Sequence, residues 1–156
     1  MNEALLAPYV EQFKEGSFRN NNYPKEKDEL LYWIIDKKAF RDATIAERFN
    51  TSSLIMKNGK EVKKILYEEI RENQKEILAD FDKWHNLICE NDEFGKKYGV
   101  WQKLINMTFK YMYCVKEYFS EFEEVWDKCH CPLDSRILEG LYYVLKAQRL
   151  NGTPCD

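Results

Sequence analysis

Apolar residues recur along most of the chain at the three- and four-residue spacing of amphipathic helices. The clearest case lies between Lys60 and Cys89, where a drifting apolar stripe predicts one long helix. Other helices are predicted over 3–14, from Pro24 to about Phe40, around 45–49, over 100–116, from Ser120 to about Lys128, and from Pro132 onwards. The pattern predicts an all-α fold, a single compact multi-helix domain over residues 1–150 with a frayed tail at 151–156.

Turn-forming residues are scarce, with 6 Gly and 4 Pro among 156 residues, which argues against a many-stranded β-sandwich. Breaks are predicted at residues 50–59, with a turn at Asn58-Gly59, and at residues 91–99. Thr44 with Glu47, and Ser120 with Glu123, have the spacing of a capping box. Ile105 and Leu141 fall on apolar faces, so alanine at either position is expected to cost roughly 2–5 kcal/mol.

The charge is unevenly distributed. The whole chain carries a net charge of −3, which excludes a strongly basic nucleic-acid coat. Residues 95–116 carry five lysines and no acidic residue, so this segment is +5 and the remainder is −8. Aromatic residues alternate with these lysines, as in surfaces that hold a nucleic-acid backbone and stack an exposed base. The same pattern also fits an apolar core helix whose few polar positions are lysines.

Cysteines and histidines offer a second, weaker signal. The five cysteines are an odd number, and the chain shows no signal-peptide pattern and no apolar run long enough to span a membrane. We therefore expect reduced thiols, a cytoplasmic location and no membrane partner. His85, Cys89, Cys129 and Cys131 are chemically suited to bind zinc, although they lack the usual ligand spacing. The alternative is that the thiols are buried apolar groups, with no metal or cofactor.

Lys103 and Asp134 are the side chains whose positions most suggest catalysis. A lysine acts as a nucleophile only where its surroundings favour the uncharged amine, as a helix N-terminus does. Lys103 lies near the start of the predicted 100–116 helix, with Asn106 and Lys110 following on the same face. Asp134 lies at the predicted start of the last helix, where backbone N–H groups keep a carboxylate ionised. Both residues also fit ordinary surface positions.

The segment Gly99-Val100-Trp101-Gln102-Lys103, followed by Pro132-Leu133-Asp134-Ser135-Arg136, resembles the catalytic pair of the helix-hairpin-helix DNA glycosylases. The separation of 31 residues between Lys103 and Asp134 is similar to that in the archaeal-type 8-oxoguanine DNA glycosylases. The resemblance covers about residues 95–145, and Trp101 replaces the second glycine of the family's hairpin.

This resemblance implies a helix-hairpin-helix glycosylase-like fold in which Lys103 attacks the sugar C1′ and Asp134 orients it. Strand cleavage by β-elimination would follow, with the damaged base flipped out of the duplex beside Trp101. The predicted substrate-binding residues are Gly99, Trp101, Gln102, Asn106, Lys110 and Arg136.

Two functions therefore follow from the sequence. The first is a DNA-lesion glycosylase and AP lyase, or a relative without activity that binds DNA through residues 95–116. The second is a non-enzymatic small helical interaction protein with a protein partner, from a mobile element or a defence locus. The acidic net charge, the absence of standard catalytic motifs and the many aromatic residues favour the second. Convergence of Lys103 and Asp134 in one cleft would distinguish the two.

Overall fold

The computed structural model describes residues 18, 23–44, 54–91, 98–130 and 135–150. In the range 54–91 side chains are described from residue 58 onwards, and in the range 135–150 they are described over 139–146. Every regular element in these ranges is helical, which confirms the predicted all-α class. The elements are α1 (Lys27–Trp33), a π-helical segment (Ile34–Ala39), α2 (Phe40–Ala43), α3 (Leu54–Glu72), α4 (Gln74–Ala79), α5 (Phe81–Cys89), α6 (Tyr98–Cys114), α7 (Lys116–Phe119), a 3-10 turn (Ser120–Phe122), α8 (Glu123–Trp126) and α9 (Ser135–Leu150).

Helix α6 is central and carries buried side chains around much of its circumference. It packs against the π-helical segment, α2 and α5, and against the α7–α8 region. The ring of Phe109 on α6 lies edge-on to Phe81 at 5.4 Å and at a steep angle to Phe122 at 5.7 Å. Such aromatic pairs add about 0.5–1.5 kcal/mol beyond the area that they bury. The helix predicted over 100–116 is thus confirmed as α6, although the structure has it over Tyr98–Cys114.

The π-helical segment follows from the spacing of apolar residues ahead of α2. Leu30, Leu31, Ile34 and Ile35 keep helical spacing, but four residues after Ile34 a regular α-helix would place Lys38 in the core. The extra residue of the π turn instead buries Ala39 and Phe40, and the Phe40 N–H donates to the carbonyl of Ile35. Lys38 is left half-buried, with its ammonium 5.0 Å from the centre of the Trp33 ring.

The predicted long helix between Lys60 and Cys89 is wrong, because the chain breaks at Asn73 and at Asp80. Asp80 leaves helical geometry, and its carboxylate accepts a hydrogen bond from the Lys83 N–H at 3.1 Å, which caps α5. The two breaks fold α5 back towards α3, where the Trp84 indole donates to the Glu69 carboxylate at 3.2 Å. This arrangement buries Ile77, Phe81 and Trp84 together.

The predicted loop over residues 50–59 is also wrong where the structure describes it, because α3 begins at Leu54 and includes Asn58 and Gly59. Gly59 permits a close approach rather than a turn. A β-carbon built on Gly59 would lie 2.3 Å from Cζ and 2.7 Å from Cε2 of the Phe40 ring. The absent side chain therefore lets α2 pack directly against α3.

Of the two predicted capping boxes, Ser120 with Glu123 lies within the described residues, whereas Glu47 of the other box lies outside them. Ser120 begins a 3-10 turn, and α8 starts at Glu123 without a side-chain cap. The Thr44 hydroxyl donates back to the carbonyl of Phe40 at 2.6 Å, at the end of α2. The helices predicted over 3–14 and 45–49 lie outside the described residues, as does the tail at 151–156.

Helix α9 differs from the other long helices, because every described side chain from 139 to 146 is exposed. It makes no extensive packing contact with another described element. The prediction that Leu141 belongs to the core is therefore wrong, since its side chain is 47% exposed, whereas Ile105 on α6 is buried as predicted. Apolar spacing alone could not distinguish a face that packs in the core from one that stays in solvent.

We predict that Gly59→Ala lowers the free energy of unfolding by about 1–3 kcal/mol, because the new methyl group overlaps the Phe40 ring. Gly99→Ala is the matched control, since a β-carbon at the exposed Gly99 meets nothing within 4 Å. The control should leave stability unchanged or slightly raised. Urea unfolding followed by circular dichroism measures both, and equal effects would contradict the close-approach role of Gly59.

Ile105→Ala and Leu141→Ala should differ sharply in how much each lowers the free energy of unfolding. We expect Ile105→Ala to cost about 2–5 kcal/mol, because it leaves a cavity beside the core rings. Leu141→Ala should stay within about 0.5 kcal/mol of the parent protein, because its side chain is already in solvent. A large loss for Leu141→Ala in a dilute sample would show that α9 packs against the rest of the chain.

Candidate functional site

The structure places the predicted catalytic lysine but not its partner. Lys103 is half-buried on α6 and interacts with another group of the protein. Asp134 lies outside the described residues, and so does the side chain of Arg136, which is in the first turn of α9. Two surface grooves, one beside α1 and one beside α5, are not lined by Lys103. Whether Lys103 and Asp134 converge stays a prediction.

Gly99 and Trp101 occupy positions unlike those that the glycosylase resemblance implies. Gly99 lies inside the first turn of α6 and not in a hairpin ahead of it. The Trp101 side chain is fully buried in the core. A ring enclosed in this way presents no face on which a flipped base could stack.

Gln102 and Asn106, two predicted substrate-binding residues, face the chain that follows α8. The Asn106 side-chain oxygen accepts a hydrogen bond from the His130 N–H at 2.6 Å. The Asn106 side-chain nitrogen donates to the Gln102 carbonyl at 2.8 Å. The Gln102 amide nitrogen lies 3.5 Å from Nδ1 of the His130 ring. Asn106 is therefore buried and does not share an exposed polar face with the exposed Lys110.

His85 on α5 completes this polar cluster and is fully buried. Its Nε2 lies 3.2 Å from the Asn106 side-chain nitrogen, and its ring centre lies 5.0 Å from that of His130. Burial lowers the pKa of His85 below its ordinary 6.5, and the nearby His130 acts in the same direction. The cluster thus favours an uncharged His85 imidazole.

The sulfur atoms near this cluster are those of uncharged thiols, buried for Cys89 and partly buried for Cys129. Burial raises the pKa of the Cys89 thiol to about 12 and that of the Cys129 thiol to about 12. The Cys129 thiol donates to the carbonyl of Val125 at 3.5 Å. Across the described ranges, no three His, Cys, Asp or Glu side chains come together to hold a metal ion, so His85, Cys89 and Cys129 do not form the suggested zinc site. Cys131 lies outside those ranges.

The lysine-and-aromatic segment is mostly core where the structure describes it. Trp101, Phe109 and Tyr111 are buried. The Tyr113 ring packs edge-on against Trp126 at 4.7 Å. Tyr98 is the exposed aromatic residue of the segment, and its hydroxyl donates to the Asn86 side chain at 3.0 Å. This arrangement matches the alternative interpretation of the segment as an apolar core helix with lysines at its polar positions.

Among the described residues, the most conspicuous surface feature is the run from Leu141 to Leu145 on α9. Its five consecutive large side chains are 46–60% exposed. Leu141, Val144 and Leu145 have i, i+3, i+4 spacing and so share one face of the helix. Tyr142 and Tyr143 lie outside that face, with their ring centres 5.6 Å apart. We call Leu141, Val144 and Leu145 the apolar face of α9.

No known protein family, curated protein or solved structure matches this chain. None of the helices that the structure describes is both long and apolar enough to cross a membrane.

We predict that this protein forms no Lys103-dependent covalent adduct when it is reduced with borohydride on DNA that contains an abasic site. The reason is that Lys103 lies on a helix whose neighbouring aromatic ring is enclosed in the core. Lys103→Ala is compared with Lys110→Ala, which removes an exposed lysine from the same helix. An adduct that Lys103→Ala abolishes and Lys110→Ala retains would establish the AP-lyase step that the resemblance implies.

Proposed function

We propose that this chain is a non-enzymatic helical interaction protein whose last helix, α9, binds a partner protein. The observation that carries the proposal is the exposure of all five large side chains from Leu141 to Leu145. Contiguous apolar surface of this kind marks interaction sites in proteins. The spacing of Leu141, Val144 and Leu145 is that of the anchor residues by which an amphipathic helix enters an apolar groove.

The energetics of α9 support the same proposal. The helix has 16 residues and makes no extensive contact with another described element. A helix of that length is only marginally stable alone in water, and Gly140 in its interior weakens it by about 1 kcal/mol. Burial of its apolar face against a partner would supply the missing stabilisation, at about 25 cal/mol per Å² of apolar surface.

The partner that fits this surface is a different protein with an apolar groove. Between residues 139 and 146 the charged residues are Glu139 and Lys146, which lie opposite the apolar face. Helices that pair with copies of themselves usually flank the apolar seam with complementary charges, and α9 has none beside Leu141, Val144 and Leu145 over these residues. The thiols of Cys89 and Cys129, which form no disulfide, fit the reducing cytoplasm that we propose as the setting.

A photo-crosslinking side chain at Val144, in protein expressed in its own cells, tests this function. We expect one specific cross-linked partner from Val144 and none from the control position Leu87, which is 65% exposed on α5. The cross-link should disappear in Leu141→Asp, because the charge cannot be desolvated in an apolar groove. Purified Leu141→Asp should keep the parent's unfolding curve.

Three outcomes would overturn the proposal. They are equal cross-linking from Val144 and Leu87, a cross-link that Leu141→Asp leaves intact, and a cross-link only to a second copy of this chain. Sedimentation equilibrium of the purified protein checks the last outcome independently, since a stable self-pair would appear as a dimer at micromolar concentration.

A further inference from the structure

The orientation of the Asn106 amide is fixed by its two backbone partners. A backbone N–H can only donate, so the atom of Asn106 that contacts the His130 N–H at 2.6 Å must be the oxygen. The other end of the amide is therefore the NH₂ group, which donates to the Gln102 carbonyl at 2.8 Å. The second hydrogen of that NH₂ group points at the His85 ring, whose Nε2 lies 3.2 Å away.

This orientation decides the protonation state of His85. Since the Asn106 NH₂ group donates, Nε2 of His85 must accept and cannot carry a proton. The ring proton lies on Nδ1, on the side of the Asn86 side-chain oxygen at 3.4 Å. The neutral imidazole with a hydrogen on Nδ1 is thus the form that satisfies every partner in the cluster.

Few groups near His85 could compensate for a charge on its ring. Its own helix, α5, offers Asp82, Asn86 and the uncharged thiol of Cys89. Helix α6 offers Asn106 and the hydroxyl-bearing ring of Tyr98, with a centre-to-centre distance of 6.3 Å. The chain after α8 offers His130, whose Nε2 lies 3.3 Å from the Asp82 carboxylate. Asp82 is thus already engaged with the second imidazole.

We propose that the hydrogen bonds joining His85, Asn106 and the His130 backbone form an acid-sensitive clasp. Protonation of His85 breaks the Asn106 hydrogen bonds that hold the backbone at His130. A proton on Nε2 would face the NH₂ group of Asn106, donor against donor. Rotation of the amide would relieve that conflict, but it would turn the NH₂ group towards the His130 N–H and the oxygen towards the Gln102 carbonyl. A protonated His85 and the hydrogen bond from the His130 N–H to the Asn106 oxygen therefore cannot coexist.

The direction of the pH effect follows from the lowered pKa of His85. In the unfolded chain an ordinary imidazole takes up a proton below about pH 6.5, whereas the folded protein takes it up only at lower pH. The folded state then binds fewer protons than the unfolded state, so stability falls with acidification. The clasp is intact above about pH 6.5 and is lost as the pH falls towards and through the pKa of the folded state.

The clasp lies between the packed helices and the segment that leads to α9. His130 is the last described residue before α9, which begins at Ser135. Asn106 thus holds the chain where it leaves the helices packed around α6. The hydrogen bonds that hold His130 lie among the packed helices and do not depend on what α9 binds.

Hydrogen exchange at the His130 amide tests the clasp, because that N–H is the bond that Asn106 holds. In the parent protein we expect its protection, corrected for intrinsic exchange, to fall by up to about tenfold per pH unit below pH 6.5. His85→Gln supplies an acceptor that does not titrate, so the amide should stay protected at every pH between 7.5 and 5. His85→Leu supplies no acceptor, so protection should be lower and independent of pH.

The second histidine provides the matched control. His130→Gln removes the only other imidazole of the chain and keeps the backbone N–H, so the pH dependence should persist in this variant. Urea unfolding from pH 7.5 to 5 gives an independent readout for a variant with too little protection to measure. Parallel pH profiles for the parent and His85→Gln would overturn the proposal, and so would loss of the pH dependence in His130→Gln alone.

Discussion

A helix buried on most of its circumference must satisfy its polar side chains inside the protein, and α6 imposes this constraint on the whole fold. The Thr108 hydroxyl donates to the Leu104 carbonyl of the same helix at 2.9 Å. The Tyr111 hydroxyl donates to the carboxylate of Asp42 on α2, and Asn106 bonds both to His85 and to the backbone at His130. Because an unsatisfied buried polar group costs about 1–3 kcal/mol, these bonds fix which elements can pack on which side of α6.

The same constraint explains why the predicted site became part of the scaffold. Lys103, Asn106 and Lys110 have the spacing of an exposed polar face, and lysines and aromatic residues alternate along their helix. In the structure the aromatic side chains fill the core, and Asn106 joins a buried network of hydrogen bonds. One sequence signal could have indicated this. Two amide side chains, Gln102 and Asn106, within an apolar helix of a chain that has only two histidines are typical of a buried polar cluster as much as of a binding surface.

Fold class and the positions of α6 and α9 could be predicted because they depend on local periodicity. Boundaries were less predictable where a tertiary contact decides them. The breaks at Asn73 and Asp80 involve no glycine or proline, although an aspartate just before Phe81 is an N-cap signal. Gly59 looked like a turn residue, and only the position of Phe40 shows that it serves a close helix contact. The exposure of α9 could not be predicted, because its apolar spacing is equally that of a core helix.

The π-helical segment makes the length of the first helical region as important as its composition. Successive residues of an α-helix are rotated by about 100° around its axis, so the loss of one residue from Ile34–Ala39 would rotate everything after it by that angle. Phe40 would then turn away from Gly59, and Asp42 from Tyr111, although no side chain had been replaced. Deletions and insertions in this segment should therefore be tolerated far less than substitutions at its exposed positions.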